Sequence, residues 1–197
     1  MAVFFLDVSG FSRLPSESVA EQDLLLRALN LFFTEMVRIA EDYGGTVEKN
    51  TGDGLMAYFP DETAPSANGA TRALAASLTM QAANHLLVSP QFIASGLNPF
   101  EFRIGIDTGY VTIARLGAAR RYNSIAAVGA TANLACKLLA LGNASDVLLG
   151  DNAKRDLPVD WQIQWAAPLG VPTGWTFTQS GLAYPAWRFT GRWARLI

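Results

Sequence analysis

The stretch that most constrains this chain is residues 46–59, which read TVEKNTGDGLMAYF. Two β-rich segments flank Gly52, Asp53 and Gly54, and glycine supplies the positive φ angles that a tight turn needs. The pattern therefore predicts a β-hairpin that carries one carboxylate, Asp53, at its tip.

A second carboxylate, Asp7, ends the apolar, strand-like run of residues 3–6. A single aspartate in a turn most often caps the backbone, and two capping aspartates are one interpretation here. If the two strands are neighbours, however, the carboxylates converge and form a site with the hard oxygen ligands that suit Mg²⁺ or Mn²⁺. Asp7 and Asp53 are therefore candidate metal ligands.

Hydrophobic periodicity predicts three helices. Residues 19–43 repeat apolar side chains at three-four spacing, and Ser16 or Ser18 is positioned to cap that helix. A second helix is expected over residues 68–87 and a third over residues 133–141.

The remaining segments predict strands. Residues 102–107 and 110–114 are interpreted as a second hairpin, and residues 146–149 as a short strand followed by a brief helix capped by Asp151. Beyond Pro158 the chain is aromatic and β-like. This order of elements predicts an α+β sandwich, with helices against an antiparallel-rich sheet and a β-rich aromatic C-terminal extension.

Composition narrows the class of protein. The chain has 197 residues, of which 50% are hydrophobic and 16% charged, so a single domain over residues 1–197 with a large buried core is expected. A net charge of −2 without a basic run gives no case for binding nucleic acid or anionic membranes, and no apolar run is long enough to span a bilayer. One cysteine excludes an internal disulfide and suits a reducing compartment, so a cytoplasmic location is expected.

Four ordered motifs make the chain recognisable. They are residues 5–12 (FLDVSGFS), 48–59 (EKNTGDGLMAYF), 102–111 (FRIGIDTGYV) and 127–135 (AVGATANLA). Together they resemble the catalytic domain of class III nucleotide cyclases, over residues 3 to about 150. The resemblance implies a ferredoxin-like βαββαβ core and conversion of a nucleoside triphosphate to a 3′,5′-cyclic nucleotide and pyrophosphate.

The resemblance also implies roles for individual residues. Asp7 and Asp53 match the metal-binding aspartates, which hold two Mg²⁺ or Mn²⁺ ions, with the carbonyl of Val8 as an additional ligand. Gly10 and Phe11 match the turn that wraps the triphosphate with backbone N–H groups.

Two positions correspond to those that recognise the base. Lys49 matches the adenine-reading lysine, and as a donor it also suits the acceptors of the pyrimidines. The second position is Ala126, where an aspartate or threonine is usual, so a backbone carbonyl or a water molecule would have to accept the amino group. Both ATP and a pyrimidine nucleotide therefore remain candidate substrates, the latter as in bacterial anti-phage signalling by cyclic UMP or cyclic CMP.

Catalytic residues follow on the predicted third helix. Asn133 matches the asparagine that orients the ribose, and Lys137, four residues on and on the same helix face, stands where an arginine neutralises the transition state. Lysine retains the positive charge but cannot bind phosphate through two parallel N–H donors as arginine does. Arg121 is therefore expected to contribute to neutralising the transition state.

The family places the metals on one protomer and the base-reading residues on the other, which implies a homodimer with two shared sites. The alternative is a non-catalytic, cyclase-like module that dimerises or binds nucleotide, which Ala126 and Lys137 favour. A diguanylate-forming enzyme is disfavoured, because its glycine-glycine-acidic turn is absent.

Overall fold

The fold is organised around the first strand, which is an interior strand, third from one edge, of a seven-stranded sheet. The computed structural model describes residues 1–10, 18–50, 53–61, 68–119 and 122–193, with the backbone alone at 49, 50, 115–119 and 122–126. The strands are β1 (Ala2–Val8), β2 (Thr46–Asn50), β3 (Gly54–Phe59), β4 (Phe102–Thr108), β5 (Thr112–Ala119), β6 (Tyr122–Val128), β7 (Val147–Gly150), β8 (Ala166–Pro168) and β9 (Ala186–Phe189).

Helices connect and cover these strands. They are α1 (Val19–Asp42), α2 (Gly69–Ala83), α3 (Ser89–Ala94), α4 (Ala130–Leu138), α5 (Asp151–Arg155) and α6 (Val159–Trp165). A π-helical turn, Asn84–Val88, joins α2 to α3, and a 3₁₀ turn, Leu139–Leu141, extends α4. No helix in the described part of the chain is both long and apolar enough to cross a membrane.

The large sheet has the order β2-β3-β1-β4-β7-β9-β8, and β5 and β6 form a separate two-stranded sheet. Only β4 and β7 run parallel; the other pairs of the large sheet are antiparallel. The order β1, α1, β2, β3, α2, β4 with the sheet order β2-β3-β1-β4 is the ferredoxin-like βαββαβ core. The predicted α+β class and core are confirmed.

Local signals define the first helix. The Ser18 hydroxyl accepts a hydrogen bond from the backbone N–H of Glu21 at 3.2 Å, and the Glu21 carboxylate accepts one from the backbone N–H of Ser18 at 3.1 Å. This capping box satisfies two N–H groups that a helix start leaves open. Ser18 is therefore the cap, while Ser16 lies outside the described residues. Gly44, with φ +73°, permits the sharp exit at the other end.

The two faces of the sheet differ in how they are covered. On one face, Phe4 and Leu6 of β1 pack in the main core with Phe32 and Met36 of α1 and with the alanine-rich α2. On the other face, Val3, Phe5 and Met56 meet Ala132 and Ala135 of α4 in a small cluster. Because side chains alternate along a strand, Asp7 lies on this second face with Val3 and Phe5.

Gly105 allows α4 to approach the second face closely. A Cβ built on Gly105 would lie 2.3 Å from the carbonyl oxygen of Ala135, and one on Gly109 would lie 2.5 Å from Oγ1 of Thr131. The helix therefore runs antiparallel to β4, with its first turn near Gly109 and its second near Gly105. Its N-terminal end lies at the end of the sheet where β1 begins.

The predicted hairpin between residues 102–107 and 110–114 is wrong. Strand β4 is bonded to β1 on one edge and β7 on the other, so it has no free edge for β5. Ile104 and Ile106 are buried, as is typical of a central strand. Strand β5 instead pairs with β6, a strand that the sequence analysis did not identify.

Smaller differences concern helix boundaries. Helix α4 begins at Ala130 after Gly129, so Asn133 lies within it rather than at its start. Asp151 does not cap α5: its carboxylate accepts a hydrogen bond from Trp187 Nε1 at 3.0 Å and pairs with Arg155. The aromatic C-terminal extension contributes β8 and β9 but also the unpredicted α6, where apolar and polar residues alternate as they do in strands.

Candidate active site

The two candidate metal ligands lie on neighbouring strands. Asp7 is paired in register with Gly54, the residue that follows Asp53, and the backbone N–H of Val8 donates to the carbonyl of Asp53 at 2.9 Å. The predicted hairpin of β2 and β3 therefore delivers Asp53 to the end of β1. The backbones of the two aspartates therefore lie close together, and the convergence of their carboxylates stays a prediction.

Val8 also presents its carbonyl to this region. In an extended strand, the N–H and C=O of one residue point to the same side. Since the N–H of Val8 is directed at Asp53, its carbonyl faces the same strand edge. A backbone oxygen is thus available beside the two aspartates, where the sequence predicted an additional metal ligand.

One cation at this site, Arg103 of β4, was not predicted from the sequence motifs. Its Nε donates a hydrogen bond to Oδ2 of Asp7 at 3.0 Å, Nη2 forms an ion pair with the same oxygen at 2.9 Å, and the two side chains are 30% and 26% exposed. Nη1 donates to the carbonyl of Gly142 at 3.2 Å, which anchors the guanidinium between β1 and the turn after α4. Arg103 thereby fixes the orientation of Asp7 and adds a positive charge to the site.

The donor set fits a divalent ion that is completed by substrate. Among the described residues there is no cluster of three or more His, Cys, Asp or Glu side chains that could hold a metal by themselves. Mg²⁺ typically takes one or two protein carboxylates and fills the remaining positions with waters and substrate phosphates. Asp7, Asp53 and the carbonyl of Val8 match that pattern.

A tight turn follows β1 at the same end of the sheet. Gly10 has φ +72°, and the backbone N–H of Ser9 donates to the carbonyl of Glu101 at 2.7 Å. The hydroxyl of Ser9 is buried and has no hydrogen-bond partner, which makes it a group that a bound ligand can satisfy. Gly10 lies in this turn and its contact with a triphosphate stays a prediction, whereas Phe11 lies outside the described residues.

The two predicted base-reading positions lie on different sheets that are linked to each other. Lys49 pairs with Met56 at an irregular point of the β2–β3 register, and Ala126 pairs with Ala114 in the two-stranded sheet. The residues beside them are in direct contact, because the Glu48 carboxylate accepts a hydrogen bond from the backbone N–H of Ala127 at 2.9 Å. One protomer thus brings both positions to the same region.

Asn133 and Lys137 are both exposed on α4, while Ala132 and Ala135 face the sheet. Thr131 lies against Gly109, at the start of β1, and Asp7 lies at the opposite end of that strand. Val3 and Asp7 are four residues apart, which corresponds to about 13 Å along a strand. Within one protomer, the structure does not bring Asn133 to the aspartates. Arg121 lies outside the described residues.

A second acidic group on β4 belongs to a different environment. Asp107 is fully buried, its Oδ1 accepts a hydrogen bond from the Tyr184 hydroxyl at 2.7 Å, and Oδ2 has no hydrogen-bond partner. Burial raises the pKa of Asp107 to about 6, and burial raises the pKa of the Tyr184 hydroxyl as well. Asp107 pairs with Val3 at the far end of β1 from Asp7, so it is not a further metal ligand.

Comparison with known proteins identifies the family. The sequence model of the adenylate and guanylate cyclase catalytic domain matches residues 1–170. The chain belongs to that family. The recognised motifs and the ferredoxin-like core are therefore those of a class III cyclase catalytic domain.

Two curated relatives of this cyclase domain are similar at low identity. A cytidylate cyclase of Staphylococcus aureus is 23% identical over 158 residues, which is 79% of this chain and 37% of the relative. An adenylate cyclase of Anabaena cylindrica is 28% identical over 162 residues, which is 80% of this chain and 30% of the relative. The chain spans about a third of the length of these relatives.

Solved structures resemble the cyclase domain over nearly its whole length. The adenylyl cyclase CyaB from P. aeruginosa is 26% identical with a TM-score of 0.78, covering 100% of this chain and 95% of the other. The guanylyl cyclase Cya2 has the same TM-score at 21% identity, covering 99% and 93%. The second likeness concerns the fold alone.

Proposed function

We propose that this cyclase domain is catalytically active and converts a nucleoside triphosphate to a 3′,5′-cyclic nucleoside monophosphate and pyrophosphate. The observation that carries the proposal is the arrangement of Asp7 and Asp53 on adjacent strands beside Arg103. Two carboxylates and one guanidinium leave one negative charge, which favours binding of a cation. A non-catalytic module has no physical need for that arrangement.

Asp7, Asp53 and the Val8 carbonyl would hold two Mg²⁺ or Mn²⁺ ions. When bound, such ions lower the pKa of the ribose 3′-hydroxyl and neutralise the triphosphate during attack on the α-phosphorus. Arg103 holds the Asp7 carboxylate through a hydrogen bond from Nε and an ion pair with Nη2, so this ligand does not have to be reoriented when substrate arrives. Gly10 and the Ser9 hydroxyl are placed to contact phosphate oxygens, and Phe11 is assigned to the same loop.

The residues on α4 would act on the substrate from a second protomer. Asn133 and Lys137 are exposed on the helix and share one face, so both can contact a ligand held by a neighbouring chain. The position of Asn133, toward the opposite end of β1 from Asp7, argues against a complete site within one chain. A homodimer with two equivalent sites brings the two halves together, with Asn133 orienting the ribose and Lys137 and Arg121 stabilising the transferred phosphate.

The candidate substrates are ATP and the pyrimidine nucleotides, with Lys49 and the segment around Ala126 contacting the base. Each named relative acts on a base that has an amino group beside a ring-nitrogen acceptor: cytosine in the cytidylate cyclase and adenine in the adenylate cyclase. Lys49 is a donor and suits that ring nitrogen. A cyclic pyrimidine nucleotide would place the domain among second-messenger enzymes of anti-phage defence.

A four-nucleotide competition tests the proposal. Purified protein is incubated with equal ATP, GTP, CTP and UTP plus Mn²⁺, and the cyclic products are separated by mass. A cyclic product that is lost in Asp53→Ala, while dimerisation is retained, supports the proposal. Absence of any cyclic product from the wild-type dimer would instead favour a nucleotide-binding or dimerisation module. That alternative is considered because Ala126 and Lys137 differ from the residues that are usual at these positions in the family.

A further inference from the structure

Glu48 makes a contact that neither the motifs nor the predicted roles explain. One carboxylate oxygen, Oε2, accepts a hydrogen bond from the backbone N–H of Ala127 at 2.9 Å. The other oxygen, Oε1, is buried and has no hydrogen-bond partner. A buried acceptor without a donor is costly, so this oxygen requires a group that the protomer does not supply.

A β-bulge directs Glu48 toward this contact. Val47 pairs with Ala57 and Lys49 pairs with Met56, so Glu48 is an additional residue on β2 with no partner on β3. Val47 packs against the main core, whereas Met56 and Ala127 belong to the cluster on the α4 face. Bulges commonly re-aim a side chain next to an active site, and here the bulge places the carboxylate beside both base-reading positions.

The same hydrogen bond determines the orientation of the β6 backbone. The N–H of Ala127 is directed at Glu48 and not at β5. Ile113 and Ala127 are therefore a non-hydrogen-bonded pair of the antiparallel ladder. The neighbouring pair, Ala114–Ala126, must then exchange the ladder hydrogen bonds, so the carbonyl of Ala126 faces β5. Neither the methyl side chain nor the carbonyl of Ala126 is therefore available to accept a hydrogen bond from a base.

We propose that Glu48 determines base specificity, through Oε1 accepting a hydrogen bond from the exocyclic amino group of the substrate. This inference rests on the proposed function and restricts its substrates to nucleotides whose base carries the amino group at pyrimidine C4 or purine C6, CTP or ATP; the amino group of guanine is at C2 instead. A carboxylate only accepts hydrogen bonds. Cytosine N4 and adenine N6 donate, whereas guanine O6 and the O4 of uracil are acceptors, so GTP and UTP would place two acceptors against each other.

Glutamine at this position provides a sharp test. In Glu48→Gln, the amide oxygen must face the N–H of Ala127, which leaves the NH₂ group where Oε1 stood. The variant therefore presents a donor to the base, and its preference is expected to shift toward uracil and guanine. Glu41→Gln, an exposed glutamate on α1, is the matched control that removes the same charge elsewhere.

The quantity measured is the affinity for 3′-deoxynucleoside triphosphates in the presence of Mn²⁺, determined by calorimetry. These ligands lack the attacking hydroxyl, so affinity is measured without turnover. The wild type and Glu41→Gln are expected to bind the cytosine or adenine ligand at least about tenfold more tightly than the uracil and guanine ligands. Glu48→Gln is expected to reduce the cytosine-to-uracil or adenine-to-guanine ratio by about tenfold or more.

Other outcomes separate this inference from the proposed function. A wild-type preference for uracil or guanine, equal ratios in wild type and Glu48→Gln, or no binding of any ligand would each overturn the role of Glu48. If the expected preferences are measured but the natural triphosphates yield no cyclic product, the role of Glu48 stands and the proposed catalysis fails.

Discussion

Arg103 of β4 donates a hydrogen bond from Nε to Oδ2 of Asp7 on β1 at 3.0 Å, and its Nη2 forms an ion pair with the same oxygen at 2.9 Å. The contact joins the candidate metal ligand to the strand that follows α2 and α3 in the chain. The backbone of Asp53 lies beside the same end of β1, where its carbonyl accepts a hydrogen bond from the N–H of Val8 at 2.9 Å.

Replacing Arg103 should weaken catalysis through Asp7. Arg103→Ala removes the groups that orient the carboxylate, and loss of such supporting partners typically costs about 10- to 100-fold in metal affinity or activity. Arg103→Lys should recover part of the loss, because it restores the charge without the planar fork. The measurement is turnover as a function of Mn²⁺ concentration. Arg38→Ala, at an exposed ion pair on α1, is the control, and equal effects of the two alanine variants would refute the assignment.

The two aspartates should each be required for metal binding. Mn²⁺ is expected to raise the melting temperature of the wild type. Asp7→Asn and Asp53→Asn keep the side-chain shape but remove a negative charge, so this rise should be lost in both variants. Asp160→Asn, at an exposed position of α6, should retain the full Mn²⁺-dependent shift. A normal shift in both site variants would show that the ion binds elsewhere.

Local sequence patterns predicted those elements of the fold that depend on residues close together in the sequence. The alternation of β-rich segments around Asp53 predicted the pairing of β2 with β3, and Ser18 with Glu21 specifies the start of α1, because both signals act over a few residues. Resemblance to the cyclase family then related these local elements to one another, including the ferredoxin-like core.

Contacts between distant segments were not predictable in the same way. The sequence pattern predicted that β4 pairs with the next strand in the chain, so Arg103 was not assigned to the site. In the structure β4 pairs with β1, which places Arg103 beside Asp7, almost a hundred residues earlier in the chain. The contact between Glu48 and Ala127 depends on a bulge whose position no local rule specifies. In α6, the alternation of Trp161, Ile163 and Trp165 with polar residues favours a strand, and tertiary packing overrides it.

If each site is shared between protomers, two inactive variants should complement each other. The Asp53→Ala variant lacks a metal ligand, and the Lys137→Ala variant lacks a residue that α4 contributes to the site of the other protomer. A mixed dimer then contains one intact site, so random reassortment of equal amounts should restore about one quarter of the wild-type activity. The measurement is turnover after co-refolding or subunit exchange. A mixture that stays as inactive as its components would place both halves of the site in one chain.

Asp107 should make the stability of the domain depend on pH in an unusual direction. Burial raises the pKa of this carboxyl in the folded state to about 6, above the ordinary value of 3.8. Between these two values the folded state binds more protons than the unfolded state, so the contribution of Asp107 to the free energy of unfolding falls as pH rises from about 4 to 6 and is constant above. At neutral pH the ionised carboxylate costs about 3 kcal/mol.

Asp107→Asn isolates this contribution, because an amide oxygen can still accept the hydrogen bond from Tyr184 but does not ionise. Urea unfolding at pH 4, 5, 6 and 7.5 should show the variant gaining stability relative to the wild type as pH rises, with the difference reaching its maximum above pH 6. Asp160→Asn should follow the wild type at every pH. A constant difference between Asp107→Asn and the wild type across this range would mean that Asp107 does not change its protonation there, and that its burial is compensated by the hydrogen bond from Tyr184.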